Sequence, residues 1–211
     1  MRCPGSFWLR TSPSSAVSRS KPIRGNTTYR GPVMEVVGLR GDRIRLVPSE
    51  PGIHLDNAVR WFNDPEVTRF AAQITGVTRL AEERFFERMA TSPESDLHWA
   101  ILAEGLGHIG FVGLHQINWP LRSATGGILI GDRNAWGQGY ASEAVQVRTR
   151  FAFDQLGLHR IEGHTVNPAM RRVYEKTGYS AEGIARQKLW REGRWNDVYL
   201  YAILESDDRT R

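Results

Sequence analysis

At 211 residues with 40% hydrophobic side chains, the chain suits one domain of ordinary size with enough length for a real core. Its formal charge of +5 invites a nucleic-acid partner, but Arg2, Arg10, Arg19, Lys21, Arg24 and Arg30 place +6 on residues 1–33, which hold no acid. The 28 basic residues less those 6 leave 22 against 23 acidic ones, so the remainder carries −1 and argues for no nucleic-acid surface.

Residues 1–38 read as a disordered basic extension: Pro4, Pro13, Pro22 and Pro32 stand among serines with few large apolar residues, which cannot build a core. No secretory apolar region is present there. An over-extended reading frame with Met34 as the natural start is the favoured explanation, ahead of a transit peptide or a solvated arm that touches an anionic partner. The single cysteine, Cys3, falls in this stretch, so no intrachain disulfide or cysteine metal cluster is expected. No apolar run approaches the ~20 residues of a membrane helix. A soluble, cytoplasmic protein without a metal is expected.

A single domain is expected over 39–206, with no internal repeat. The pattern predicts a strand over 43–47, a helix over 55–62, a turn at Asn63-Asp64-Pro65 and a helix over 80–90. Strands follow over 97–103, 108–116 and 124–130, with a hairpin turn at Gly105-Leu106-Gly107 and a loop at Asn118-Trp119-Pro120. A long helix after residue 139 carries Ala141, Ala144, Val145, Phe151, Ala152 and Leu156 near helical spacing and stops at Gly157. The fifth strand, 160–166, alternates Ile161, Gly163 and Thr165 against Glu162, His164 and Val166. Asn167-Pro168 supplies an N-cap and a proline at the first helical position, and that helix runs to Lys176. Strands over 179–188 and 195–204 close the domain around Glu192-Gly193. Strands grouped first, with a helix returning between the fourth and fifth, predict an α/β fold with a mixed sheet and helices on both faces.

The run Trp136-Gly137-Gln138-Gly139-Tyr140-Ala141-Ser142-Glu143 lies between a strand and a helix. Its glycines let oxygens approach the main chain, and the free N–H groups that open a helix add donors and partial positive charge, so the run suits a pyrophosphate. A P-loop would require Gly-Lys-Ser/Thr, and a dinucleotide fingerprint a third glycine at Ser142 on the first strand-helix unit; Glu162 only mimics a ribose-binding acid. The remaining reading is a CoA loop. Trp136-x-x-Gly139-x-Ala141 resembles the Gln/Arg-x-x-Gly-x-Gly/Ala element of the GNAT superfamily of N-acetyltransferases, with Trp136 in place of the polar first residue.

The stretch from Asn167 through Val173, Tyr174, Glu175, Lys176 and Gly178 to Tyr179, with Glu182-Gly183, is similar to the signature of the RimJ/RimL-like branch that acetylates ribosomal-protein N-termini. Arg45 to Pro48, Trp61 to Val67, Ile109 to Gly113 and Gly193-x-x-x-Asp197 extend the likeness across roughly residues 40 to 205. The resemblance implies the GNAT fold: a mostly antiparallel sheet of about six or seven strands, splayed between the fourth and fifth, with about four helices. It also implies acetyl-CoA as cosubstrate. The amides of Gly137, Gln138, Gly139, Tyr140, Ala141 and Ser142 would bind the pyrophosphate, and backbone of Ile128, Leu129 and Ile130 the pantetheine arm.

Asn167 would cap its helix, bond the pantetheine or acyl end, or both. Arg171 and Arg172 are candidates for the 3′-phosphate of CoA, because guanidinium groups match phosphate oxygens in pairs. Tyr174 is the catalytic candidate. A phenol of pKa ~10 can donate to a departing thiolate of pKa ~8.5, and the wider superfamily often has Tyr here although many relatives in the branch carry an aliphatic residue.

No general base stands out: His115, Glu104, His164 and Glu162 remain candidates. Glu143 reads as a structural acid at a helix N-terminus, and Asp197 as fixing the last hairpin. Trp119, Trp195 and His115 are the residues chosen to line the acceptor pocket. Freeing an α-amine of pKa ~7.8 at pH 7 costs about 1 kcal/mol, against roughly 4.6 kcal/mol for an amine near ~10.4. A site without an evident base therefore suits a protein or peptide N-terminus. The expected function is acetyl transfer by direct attack of a primary amine, without a covalent enzyme intermediate, in a monomer or homodimer. A small amine such as a polyamine or aminoglycoside, and a silent CoA-binding module, are the alternatives; an acid-rich pocket would favour the polycation.

Overall fold

A computed structural model describes residues 38–71, 75–91 and 94–208. The expectations for residues 1–37, among them the role of Met34 and the state of Cys3, lie outside the described residues. The elements are β1 (Leu39–Arg40), β2 (Ile44–Pro48), α1 (Pro51–Phe62), α2 (Pro65–Thr68), α3 (Arg79–Thr91), β3 (Leu97–Ala103), β4 (Gly107–Asn118), β5 (Ser123–Ile130), α4 (Tyr140–Asp154), β6 (Arg160–Thr165), α5 (Pro168–Lys176), β7 (Ser180–Arg191), β8 (Arg194–Leu204) and α6 (Glu205–Asp208).

Among the described residues, one sheet of eight strands runs in the order β1-β2-β3-β4-β5-β6-β8-β7. Only β5 and β6 pair in parallel, which is why the long helix α4 has to cross over between them. The sheet exceeds the expected strand count because Leu39 and Arg40 add a short edge to β2, a pairing too brief to leave a period in sequence. Helix α1 begins at Pro51, ahead of the expected Leu55: proline at the first helical position loses no hydrogen bond.

Helices cover both faces. On β4, Phe111 packs with Leu55, Ala58 and Phe86 of α1 and α3. Val112 and Leu114, of opposite parity, join Ala144, Val145, Ala152 and Phe153 of α4. Burying a side chain such as Phe153 contributes roughly 1.5–3 kcal/mol, and α4 seats several, so the helix following the cradle is clamped to the sheet. Helix α5 joins the same face through Tyr174.

The parallel ladder is short. Ser123, Ala124 and Thr125 pair with Arg160, Ile161 and Glu162, and no further pairs form although both strands continue. The expected splay is therefore a fork that opens just beyond Thr125 and Glu162.

Candidate active site

The amide cradle forms as expected. Gly137 and Gly139 have φ of +74° and +88°, a left-handed geometry that costs other residues energy, and Gly139 caps α4. The first helical bond in this turn is Glu143 N–H to Gly139 O, at 3.1 Å. The amides of Gly137, Gln138, Gly139, Tyr140, Ala141 and Ser142 thus have no acceptor among the described residues, as a helix start requires. Arg43 braces this turn. Its backbone N–H donates to Glu143 Oε1 at 2.7 Å, its Nε to Glu143 Oε2 at 3.2 Å and its Nη1 to Gln138 O at 3.1 Å, while its guanidinium lies 4.7 Å from the Tyr140 ring. Glu143 is accordingly structural.

The edge of β5 next to the cradle is half open. Gly131 N–H donates to Ile109 O at 2.9 Å, and the antiparallel register pairs Phe111 with Leu129 and Gly113 with Gly127. By the alternation of such ladders, residues 127, 129 and 131 turn their polar backbone towards β4, whereas Gly126, Ile128 and Ile130 turn theirs into the fork. Leu129 therefore does not offer its backbone to a ligand, contrary to expectation: one residue of phase decides it. The carbonyl of Ile130 is already taken by Trp136 Nε1 at 2.8 Å, which gives the unusual first residue of the loop a role of its own. An acetylated pantetheine arm fits what is left, the two polar groups of Ile128 and the N–H of Ile130, with its diphosphate on the open amides.

Three polar side chains gather at the fork. The Tyr174 ring stacks on Tyr201 at 5.1 Å and packs against Tyr179 at 4.9 Å. Its hydroxyl lies where a side chain on Gly163, the first β6 residue past the last pair, would be. Burial pushes this phenol up to about 12, so it is a hydrogen-bond donor throughout the physiological range. Arg148 of α4 is sealed at 1% exposure, with its guanidinium filling the space beside Gly126. It donates to Gly113 O at 3.2 Å and to Tyr179 Oη at 2.6 Å, and no carboxylate pairs with it among the described residues.

His115 comes from the opposite face. Its Nε2 lies 2.6 Å from the point a Cβ on Gly127 would occupy, so the ring rests on β5 one residue from Ile128. Asp96 orients it, with Nδ1 and Oδ1 3.3 Å apart, and accepts in addition from Ser95 Oγ at 2.8 Å and Gln116 N at 3.3 Å. Burial pushes Asp96 up, but these donors outweigh it and hold the carboxyl below its ordinary value. Burial holds His115 below the usual histidine range, against the pull of Asp96. His98 lies ring to ring with His115 at 4.6 Å and is pushed down to about 4 by burial. Ligand atoms of Asp96, His98 and His115 lie within 4.8 Å of one another, and the contact with Asp96 orients the His115 ring.

The other base candidates are not brought to the fork's floor with partners. Glu162 is held by Arg160 at 2.9 Å, Glu104 is exposed in the β3–β4 turn, and His164 is exposed on β6. Arg171 stacks on Tyr199, 3.8 Å from the ring centre, whereas Arg172 is exposed on α5. Asn167 caps α5, accepting from Ala169 N at 2.9 Å. Asp197 accepts from Gln187 N at 2.8 Å within the last hairpin. Trp119 donates to Glu94 O at 2.8 Å beside the β4–β5 turn, while Trp195 packs on Trp190 at 5.3 Å at the hairpin tip. The two tryptophans do not form one pocket wall. An open crevice of ≈280 Å³ lies beside the cradle, lined by Trp61, Gly131 and Arg133 among others.

Sequence reasoning missed Asp96, His98 and Arg148. His98 and His115 carry no motif, since their neighbourhood is created by the β3–β4 register. Arg148 lies on the apolar stripe of α4, four residues from both Ala144 and Ala152, where a charged side chain reads as a break in the pattern rather than as a buried group.

No described helix is long and apolar enough to cross a membrane. A family model described as Acetyltransferase (GNAT) domain matches residues 43–180. The chain is 30% identical over 158 residues to the uncharacterized N-acetyltransferase p20 of Bacillus licheniformis, covering 72% of this chain and 88% of the relative. It is 34% identical over 100 residues to the spermidine N(1)-acetyltransferase of Vibrio cholerae serotype O1, covering 46% of this chain and 57% of that protein. Several curated relatives are thus matched over little more than half their length. The crystal structure of spermidine N-acetyltransferase from Vibrio cholerae in complex with CoA and spermine superimposes with a TM-score of 0.74 at 23% identity, covering 80% of this chain and 99% of that one, a likeness of fold. With an open amide cradle, a forked sheet and these matches, the chain belongs to the GNAT family of N-acetyltransferases.

Proposed function

We propose that the chain moves an acetyl group from acetyl-CoA to a primary amine, with His115 as general base and Tyr174 as hydrogen-bond donor to the leaving sulfur. The observation that carries this reading is the placement of both residues at one fork, His115 against Gly127 and the Tyr174 hydroxyl against Gly163, on either side of the outward-facing backbone of Ile128. Acetyl-CoA supplies the activated acyl group as a thioester.

The amides of residues 137–142, with Arg172 for the outlying phosphate, would hold the carrier. Ile128 N–H would polarise the thioester carbonyl. As the new C–N bond forms and the C–S bond breaks, the amine's proton passes to His115 Nε2, which is neutral at pH 7. The Tyr174 hydroxyl and the fixed charge of Arg148 stabilise the thiolate. A phenol lifted to about 12 stabilises a thiolate of pKa ~8.5 better by a hydrogen bond than by full proton transfer.

The acceptor reading shifts with the base. The preference for an α-amine rested on the lack of an evident base, and an oriented His115 removes that premise. A small cationic amine is the better-supported acceptor: Asp96 puts a carboxylate beside His115 on the α1–α3 face, and a spermidine N(1)-acetyltransferase is among the relatives. The ribosomal N-terminus rests on the Asn167–Tyr179 block and on a 29% identity over 100 residues to the putative ribosomal N-acetyltransferase YdaF of Bacillus subtilis (strain 168). Thiol release from acetyl-CoA with a panel of polyamines, monoamines and peptides tests the proposal. Release with peptides only would restore the N-terminal reading, and release with no amine would leave a CoA-binding module.

A further inference from the structure

His98 has no part in the proposed reaction, yet it lies ring to ring with His115 at 4.6 Å. Its Nε2 is sealed from solvent without a hydrogen-bond partner, so no bond there fixes which ring nitrogen carries the proton. The sheet beneath the rings is kept clear by glycine. Gly113 stands opposite His98 on β3 and opposite Gly127 on β5, and a Cβ on either glycine would meet His115 Nε2, at 3.2 Å and 2.6 Å. Asp96 is held beside His115 by a loop stitched to β4. Ile117 N–H donates to Ser95 O at 2.8 Å, Trp119 Nε1 to Glu94 O at 2.8 Å and Gln116 N–H to Asp96 Oδ1 at 3.3 Å. Gln116 reaches Asp96 from a left-handed φ of +52°, where β4 leaves register with β5, a conformation unfavourable to a residue with a Cβ.

We propose that Asp96, His98 and His115 form a binding site for a divalent transition metal of the zinc class, and that its occupancy switches acetyl transfer off. One ligand atom from each residue lies within 4.8 Å of the other two. Zinc bonds to imidazole nitrogen and carboxylate oxygen run about 2.0–2.2 Å, which sets ligand atoms roughly 3.5 Å apart around a tetrahedral ion, so no pair has to close by more than about 1.3 Å. Rotation of the His115 and Asp96 side chains, 34% and 23% exposed, supplies that movement and leaves the fourth position to solvent. Two imidazoles with one carboxylate favour a borderline-soft ion over magnesium or calcium, which take oxygen. Asp96 keeps Ser95 Oγ at 2.8 Å and Gln116 N–H as outer partners, of the kind that orients a ligating carboxylate.

The switch rests on the proposed role of His115 as base. A neutral imidazole has one nitrogen lone pair to offer in its ring plane. Metal at Nδ1, the nitrogen beside Asp96, keeps the proton on Nε2, and metal at Nε2 takes the lone pair itself. In either case the proton of the attacking amine has no acceptor. The amides of residues 137–142 and the outward-facing backbone of Ile128 are untouched, so acetyl-CoA still binds. The ion acts as an inhibitor and not as a cofactor.

The test uses the full chain without an affinity tag, freed of metal by a chelator. Zinc chloride is titrated calorimetrically against a magnesium chloride control, and cobalt(II) chloride reports coordination through its visible absorption. Acetyl transfer is followed by loss of the thioester at rising free zinc. Wild type binds zinc saturably and magnesium not at all, cobalt(II) gains the strong visible bands of a four-coordinate ion, and turnover falls about tenfold or more at saturation and returns with chelator. His98→Gln and Asp96→Asn each bind zinc about tenfold or more weakly, and the midpoint of inhibition rises in step. Retained acetyl-CoA affinity shows that a variant is folded; should one variant lose it, the other decides. Zinc bound no better than magnesium overturns the site, as does wild-type zinc affinity in His98→Gln. Zinc bound at the three residues with undiminished acetyl transfer would uphold the site but overturn the switch and, with it, His115 as base. Metal-free protein that acetylates no amine would remove the proposed reaction, while calorimetry and the cobalt bands still decide the site.

Discussion

On the α4 side of the fork, the groups offered to a ligand are mostly main chain: amides of residues 137–142 and the outward-facing backbone of Ile128. On the α1–α3 side they are side chains, His115, Asp96 and His98, drawn from two strands and the loop before β3. The first arrangement tolerates changes of side chain as long as the backbone keeps its shape, and suits a ligand whose polar groups are always the same. The second is specified residue by residue, as recognition of one particular amine demands. The titratable groups divide in the same way. His54, His98, His108 and His115, all displaced downwards by burial, lie on the α1–α3 side proposed for the acceptor, whereas the cradle needs no proton to change hands.

Breaking the acceptor half at its centre has the largest expected effect. His115→Gln keeps a polar side chain over Gly127 but cannot take a proton, and kcat falls about 10²–10⁴-fold with acetyl-CoA affinity retained in a calorimetric titration. An unchanged kcat removes the base. Acid comes next. His108, pushed down to about 3 by burial against Trp61 and Phe111, is neutral when folded and has an ordinary value of 6.5 when unfolded. Between those values the unfolded chain binds more protons, so stability is complete above pH 6.5 and declines as the pH falls towards 3. The loss from this one group is on the order of 5 kcal/mol at most, read as a falling Tm between pH 7 and 4. His108→Phe, if it folds, flattens that slope; an identical slope would place the acid sensitivity elsewhere.

Two substitutions probe the fork and the cradle. Tyr174→Phe removes the donor to the sulfur and lowers kcat about 10–100-fold, since a hydrogen bond to a charged group is worth roughly 1.5–3 kcal/mol. Little change is expected in acetyl-CoA affinity, and an unaltered kcat would reduce the ring to packing on Tyr201. Gly139→Ala forces a Cβ into a left-handed turn at a cost of about 1–2 kcal/mol, with Arg43 Nη2 3.3 Å from the new atom. Acetyl-CoA binds about tenfold more weakly, and the acceptor half is left as it was. A loss of kcat without a loss of affinity would break the division of labour between the two halves.

The same division decides what could be read from sequence. The cradle was legible because glycine spacing, a strand before it and a helix after it are local properties of residues 127–156, and the cap at Asn167-Pro168 likewise needs only neighbours. The acceptor half was not. Asp96 meets His115 across 19 residues through the pairing of β3 with β4, and Phe85 meets His98 only because α3 lies on that face of the sheet. The tryptophans misled because flanking turn residues predict exposure, which Trp119 and Trp195 do have, but not direction. Leu129 failed for a subtler reason: periodicity places a strand, whereas the partner strand decides which of its residues face out.

The smallest expected effect isolates the positioning residue. Asp96→Asn keeps an acceptor near Nδ1 but removes the negative charge that pulls His115 upwards against burial. The folded value of His115 therefore falls further, more of the base is unprotonated in mild acid, and the acid limb of the kcat–pH profile moves to lower pH by less than about one unit. A neutral imidazole less firmly held also costs a few-fold in kcat at the plateau. A role limited to bracing Ser95 and Gln116 would lower Tm without moving the limb. A limb that stays in place in Asp96→Asn while His115→Gln abolishes turnover would leave His115 as the base and transfer its orientation to another group, of which His98, 4.6 Å away ring to ring, is the first to substitute.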